Sequence, residues 1–289
     1  MSLPVLALLH PVADLAASRF SVHPSTAIGI ATFAIVYAWR ARQATAADVG
    51  PTPPQRMAFF TALALLFLTL NGPLHDLSDF YLFSAHMVQH LVLTLVVPPL
   101  MIVGTPGWML RPLLTSRRAP WIGAVARRVT TTAACFTIFN VVLAFWHLPP
   151  LYNLALAVHP VHILQHLMFI AASVLMWWPL LSPLPELPRA SYPAQMLYCF
   201  LMVIPMSVIS IYVAMADTLL YPAYATAPRI LGISPMQDQQ YGGLIMWIPG
   251  GVFFYAVMTV VFFKWSQRGE DDQASAQVGW TPSASTSAS

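Results

Sequence analysis

The sequence predicts an all-α membrane bundle of seven transmembrane helices. Three observations carry that reading. The 289 residues are 58% hydrophobic and only 8% charged, whereas a soluble domain is about a quarter charged. The apolar residues gather into seven runs, and about 20 such residues make one span. The cations gather between alternate runs. Ten acids and thirteen cations cannot coat a globule of this size with a water-compatible surface, so a soluble enzyme and a disordered chain both fit poorly. The net charge is +3 with no basic patch interleaved with aromatics, which points away from a nucleic-acid partner.

Residues 1–25 are moderately apolar but carry Pro4, Pro11, Asp14, Arg19 and Pro24. They lack a basic leader and a small-residue cleavage site, and read as an outer N-terminal segment rather than a cleaved signal peptide. The first run, 26–39, ends at Arg40 and Arg42. The second, 57–70, is stopped by Asn71, Gly72 and Pro73. The third, 80–103, passes through Pro98 and Pro99. The fourth, 130–146, ends at Pro149 and Pro150. The fifth is 161–181. The sixth, 192–215, holds Pro205, and the seventh is 242–263. Proline inside a span is tolerated where neighbouring helices satisfy the carbonyl it frees. The membrane domain is thus 26–265. Residues 266–289 are rich in Ser, Ala and acids and read as a disordered cytoplasmic tail.

Positive charge marks the cytoplasmic side. Arg40, Arg42 and Arg56 lie in the first loop, and Arg111, Arg117, Arg118, Arg127 and Arg128 in the third. Arg189 lies in the fifth, and Lys264 and Arg268 follow the last run. Only Arg19 and Arg229 fall on the other side. The N-terminus is therefore expected outside. The only lysine, Lys264, sits at the cytoplasmic end of the last run. That argues against a retinal Schiff base, which needs a lysine deep in the bundle.

On this topology all nine His fall outside or in the outer half of the membrane. His10 and His23 lie in the N-terminal segment, and His75 sits beside Asp76 and Asp79. His86 and His90 lie about 9 and 15 Å into the third run at 1.5 Å per residue. His147 ends the fourth run, and His159, His162 and His166 open the fifth. His86 with His90, and His162 with His166, are i,i+4 pairs, each on one helix face. The strings match: His86-Met-Val-Gln-His90-Leu against His162-Ile-Leu-Gln-His166-Leu. Both helices run outside to inside, so the pairs can face each other at similar depth.

Neutral imidazole ligates copper, zinc, iron and haem, and an intramembrane ionisable group is a functional candidate by default. His86, His90, His162 and His166 are the candidate ligands. Met87, His147 and His159 are possible additions, and Met236 is a second soft candidate. Asp217, Asp238 and Gln239 are candidate outer partners that would fix an imidazole tautomer. Each His also admits a plain reading as a hydrogen-bonded polar residue. Gly242 and Gly243 permit close approach of another helix. Cys135 and Cys199 form no CxxC pair and read as buried apolar thiols.

Several stretches resemble one family. They are Ser84-Ala-His86-Met-Val-Gln-His90, Pro98-Pro99-Leu and Gly104-Thr-Pro106. Then come Trp146-His147-Leu-Pro149, Tyr152-Asn153, His162-Ile-Leu-Gln-His166, Trp177-Trp178-Pro179 and 238–247, which starts Asp238-Gln239-Gln240-Tyr-Gly242-Gly243. Together they resemble the multi-span CtaG family of bacterial cytochrome c oxidase assembly factors, over about residues 73–263. The resemblance implies a multi-pass protein of the bacterial inner membrane that helps mature a haem-copper oxidase and supplies copper, most simply Cu(I). It carries over to His86, Met87, His90, His147, His162, His166, Asp238 and Gln239. It implies oxidase subunits and a periplasmic copper chaperone as partners, and no enzymatic activity. Two alternatives stand beside it. One is a membrane haem protein with His as axial ligands. The other is a metal-free assembly scaffold.

Overall fold

The computed structural model describes residues 20–279 apart from 46, 47, 49 and 117, with side chains as far as 269. Among the described residues there is helix and loop but no strand. Prolines open many of the helices, where the missing N–H costs no helical bond. Helix α1 is Pro24–Arg42, α2 Pro53–Thr69 and α3 Pro73–Phe80. Thr52 caps α2 in a reciprocal box with Gln55. Asn71 and Gly72 break the chain between α2 and α3, with Gly72 at φ +69°, and the two axes differ by 46°.

The third apolar run is α4 (Phe83–Leu91), a π-helical turn (Val92–Val96) and α5 (Val97–Gly104). The turn has a local cause. Pro98 and Pro99 lack the N–H groups that would bond Thr94 O in an α- or a π-helix. Trp177 replaces them, its Nε1 donating to Thr94 O at 2.9 Å. A π-turn of this kind often marks a functional site, and this one begins two residues after His90.

Helices α6 (Gly107–Leu114) and α7 (Pro120–Val129) follow, and α7 meets α8 (Thr132–His147) at 82°. Helix α9 is Pro149–Ala157, α10 His159–Leu181 and α11 Tyr192–Ala214. After a short 3-10 turn (Pro222–Tyr224) comes α12 (Pro235–Gly279). Helix α12 continues to Gly279, into the stretch that the sequence suggested would be disordered from 266. Residues past 279, and His10, lie outside the described residues.

Among the described residues four helices are long and apolar enough to cross a membrane, and six if each bent pair is one span. Seven were expected. The difference is α1, whose first turn carries Ser25 and Thr26 and whose last carries Arg40 and Arg42. The surface supports a multi-pass membrane protein. Ile28, Met57, Val208 and Val252 are each more than 60% exposed, an apolar outside that water would not tolerate. The largest buried cluster joins α8, α10, α11 and α12, and Cys199 lies in it; Cys135 is equally buried in a smaller one.

The two ends of the bundle differ. At one end Arg40 stacks over Trp108 and the Arg111 Nε meets Glu186 at 2.6 Å. The Glu186 backbone N–H and the Arg111 guanidinium hold that carboxyl below the usual range. At the other end residues 20–23 are stitched to the α2–α3 break. Ser21 donates to Asp76, and His23 N donates to Asn71 Oδ1 at 2.7 Å. This second end carries the histidines.

Candidate metal centre

Helices α3, α4, α8 and α10 bring six imidazoles together: His75, His86, His90, His147, His162 and His166, all at least 90% buried. His86 and His90 share a face of α4, with their Nε2 atoms 2.8 Å apart. Helix α10 lies beside α4, and its pair faces them. The ring centroids are 5.6 Å apart for His86–His162 and 5.7 Å for His90–His166. The parallel placement of the two repeated strings is therefore what the structure has.

Two ligand groups share His86. Nitrogens of His86, His90 and His166 all lie within 4.8 Å of one another, and so do atoms of Asp79, His86 and His162. Asp79 organises the second group. Its carboxylate lies 3.3 Å from His162 Nδ1 and 3.5 Å from His75 Nε2. This is the arrangement by which an outer carboxylate fixes a ligand imidazole: with Nδ1–H directed at Asp79, the lone pair of His162 is on Nε2. That atom is buried with no hydrogen-bond partner, as are His166 Nε2 and His147 Nε2. His147 is fixed in the same sense, its Nδ1 donating to Leu143 O at 2.7 Å.

A polar network frames α4. Gln89 donates to Thr69 O at 2.8 Å and to His75 Nδ1 at 3.1 Å, and accepts from Ser78 Oγ at 3.1 Å. Tyr224 donates to Ser78 O at 2.7 Å, and its hydroxyl is 3.4 Å from His86 Nδ1 and 3.1 Å from the Tyr152 hydroxyl. Tyr221 donates to His147 O at 3.0 Å.

The remaining candidates are placed differently from the sequence expectation. Asp217 is exposed in the loop after α11, whereas the clustered imidazoles are buried. Asp238 is buried, but it accepts from Phe83 N at 2.7 Å and Ser84 N at 3.1 Å. It therefore caps α4 from α12 and touches no imidazole, because the free N–H groups of a helix start compete successfully for a buried carboxylate. Gln239 bonds backbone at Leu220 and Thr218, tying α12 to the loop after α11. Met87 is buried against Gly242 on the side of α4 away from the Asp79 group. Met236 lies 4.0 Å from the Gln239 amide. His159 lines a mouth cavity of about 30 Å³ with His23, His75, His162 and His166.

Asp79, Gln89 and Tyr224 were not singled out from the sequence. A signal existed for one of them: His75 and Asp79 are an i,i+4 pair one turn apart on α3.

This geometry can now be set beside known proteins. A family model described as cytochrome c oxidase caa3 assembly factor (Caa3_CtaG) matches residues 30–268. The chain belongs to this family. Its members are assembly factors for cytochrome c oxidase, which implies contact with oxidase subunits. No curated protein and no solved structure matches the chain. In this assembly factor the donor set suits a transition metal. Four imidazoles and one carboxylate converge, and two of the imidazoles, His162 and His166, present an unpartnered buried Nε2. One adjustment is required. Two nitrogens about 2.0–2.1 Å from a tetrahedral metal are about 3.3 Å apart, so the His86–His90 contact of 2.8 Å must open by about half an ångström.

Proposed function

We propose that the chain binds copper as cargo in the imidazole cluster and passes it to a haem-copper oxidase during assembly. The observation that carries this is the convergence of His86, His90, His162 and His166, with unpartnered Nε2 atoms on the α10 pair. His86, His90 and His166 supply nitrogens to one ion, and His162, held by Asp79, completes the set. His147 lies beyond His90 at the deep end of the cluster. Copper suits imidazole as a borderline to soft ion.

The chain's own residues manage the protons. His86 and His90 cannot both offer Nε2 lone pairs while one donates to the other. The proton must move to an Nδ1, and the Tyr224 hydroxyl beside His86 Nδ1 can accept it as a hydrogen bond. Asp238 holds α4 in register, so the pair keeps its depth. No residue here is assigned a catalytic role.

The geometry favours copper over haem. The cavities beside the imidazoles are about 30 Å³ each, far below the roughly 300–1,000 Å³ of a cofactor pocket. On this reading α1 is the seventh span, the N-terminus is outside, and the protein sits in the bacterial inner membrane. The cluster then opens outward, where a periplasmic copper chaperone could load it.

The test is oxidase assembly in cells lacking the protein. Complementation with a His86→Ala/His90→Ala/His162→Ala/His166→Ala variant is expected to yield oxidase with haem but with depleted copper. Oxidase with full copper would contradict supply and support a metal-free scaffold.

A further inference from the structure

A second cavity of about 30 Å³ lies deeper in the bundle, beyond His90. Its wall differs in kind from the imidazole cluster. Met87 of α4, Met206 of α11 and Met246 of α12 line it together with His90 and His147, and the remaining wall is almost entirely aliphatic and aromatic. No carboxylate reaches it.

The three thioethers are brought there by close helix contact. A Cβ at Gly250 of α12 would lie 2.9 Å from Met206 Sδ, and one at Gly242 would lie 3.2 Å from Met87 Cγ and 2.3 Å from the Phe83 ring. At Gly242 a Cβ would press into the Phe83 ring, so glycine there lets α12 approach so near. His147, which lines this apolar space, carries an unpaired polar atom. His147 is 95% buried, its Nδ1 donates to Leu143 O, and its Nε2 has no hydrogen-bond partner. Leaving a buried acceptor unpaired is costly, and the site offers few polar groups to hold a water in its place.

The donor chemistry is selective. Thioether sulfur and neutral imidazole are uncharged, and sulfur is soft. A divalent ion is far more costly to bury than a monovalent one, because the desolvation cost grows with the square of the charge. Such a wall therefore suits a soft monovalent ion.

We propose that this cavity is a second metal site, specific for Cu(I) or a like soft monovalent ion, in which Met87, Met206 and Met246 join His147 Nε2. The proposal rests on the reading of the protein as a copper carrier. It adds a station beneath the imidazole cluster, so that an ion entering by the mouth meets nitrogen and carboxylate first and sulfur second.

The test uses the full chain, purified in detergent with selenomethionine in place of methionine and loaded anaerobically with Cu(I) or Zn(II). X-ray absorption at the copper and selenium edges is expected to show copper–selenium scattering, and metal analysis two Cu(I) per chain. A Met206→Leu/Met246→Leu variant, nearly volume-conserving, should lose the selenium signal and one equivalent while keeping the other. Zn(II) should give no selenium scattering. Copper bound by nitrogen alone, or copper stoichiometry unchanged in the variant, would overturn the second site and leave the carrier reading standing. A protein that binds no copper at all would overturn both. If the double variant does not fold, the selenium edge of the unmutated protein decides.

Discussion

Helices α4 and α10 carry the same His-x-x-Gln-His string and use it in different ways. In α4 the glutamine is fully engaged: Gln89 bonds Thr69, His75 and Ser78, and Asp238 caps the helix start. In α10 the matching Gln165 is 99% buried, yet neither its Nε2 nor its Oε1 has a hydrogen-bond partner. His162 and His166 each leave Nε2 unpartnered as well. The cause lies in the neighbours. Helix α3 packs on α4 and supplies His75 and Ser78 to Gln89, whereas the start of α10 borders the mouth cavity and receives only Asp79, at His162. One string thus makes a rigid half-site and an adaptable one. On the proposed copper reading, α4 would set the depth of the ion and the unpartnered α10 side chains would adjust to it.

The largest effect expected is on the ligands. His86→Ala/His90→Ala and His162→Ala/His166→Ala should each abolish high-affinity binding of the imidazole-held copper, read as the loss of one equivalent in competition with a chromophoric chelator. If the α10 pair proves dispensable, the two-helix site is wrong. Asp79→Asn should weaken binding about 10–100-fold, the usual cost of losing an outer partner of a ligand imidazole. Asp76→Asn, whose carboxylate accepts from Ser21, should change affinity far less.

The glutamines test the comparison itself. Gln89→Leu leaves the buried Thr69 O and His75 Nδ1 without this donor and should destabilise the apo-protein by about 1–3 kcal/mol. Gln165→Leu removes two unpaired buried atoms and should be neutral or stabilising. Thermal unfolding of the two variants in one detergent gives the order, and the reverse order would break the rigid-versus-adaptable distinction. The smallest effect is expected for Trp177→Phe. It deprives Thr94 O of its donor and should cost about 0.5–1.5 kcal/mol, with copper affinity little changed.

Much of this site was legible in local periodicity. Residues four apart on a helix share a face whatever surrounds them, so both His pairs, and their like depth on parallel helices, followed from spacing. The count of spans was less legible. Helix α1 reads as an apolar run although polar and charged residues fill its end turns, and two of the other spans are bent helix pairs, by 46° and 82°. Asp238 shows a second limit. Its position at the histidine end was readable, but its partner, the start of α4, is 155 residues away in the chain. The same holds for the sulfur-lined cavity. Met87, Met206 and Met246 belong to three helices, and no spacing along the chain announces that they meet.

The most direct test of the central claim is a Cu(I) titration of the purified, full-length protein alongside the four-histidine variant. The unmutated protein should take up copper stoichiometrically and remain colourless, and the variant should lose the imidazole-held ion. A protein that binds no copper, or one that is purified with a Soret band, would contradict the account.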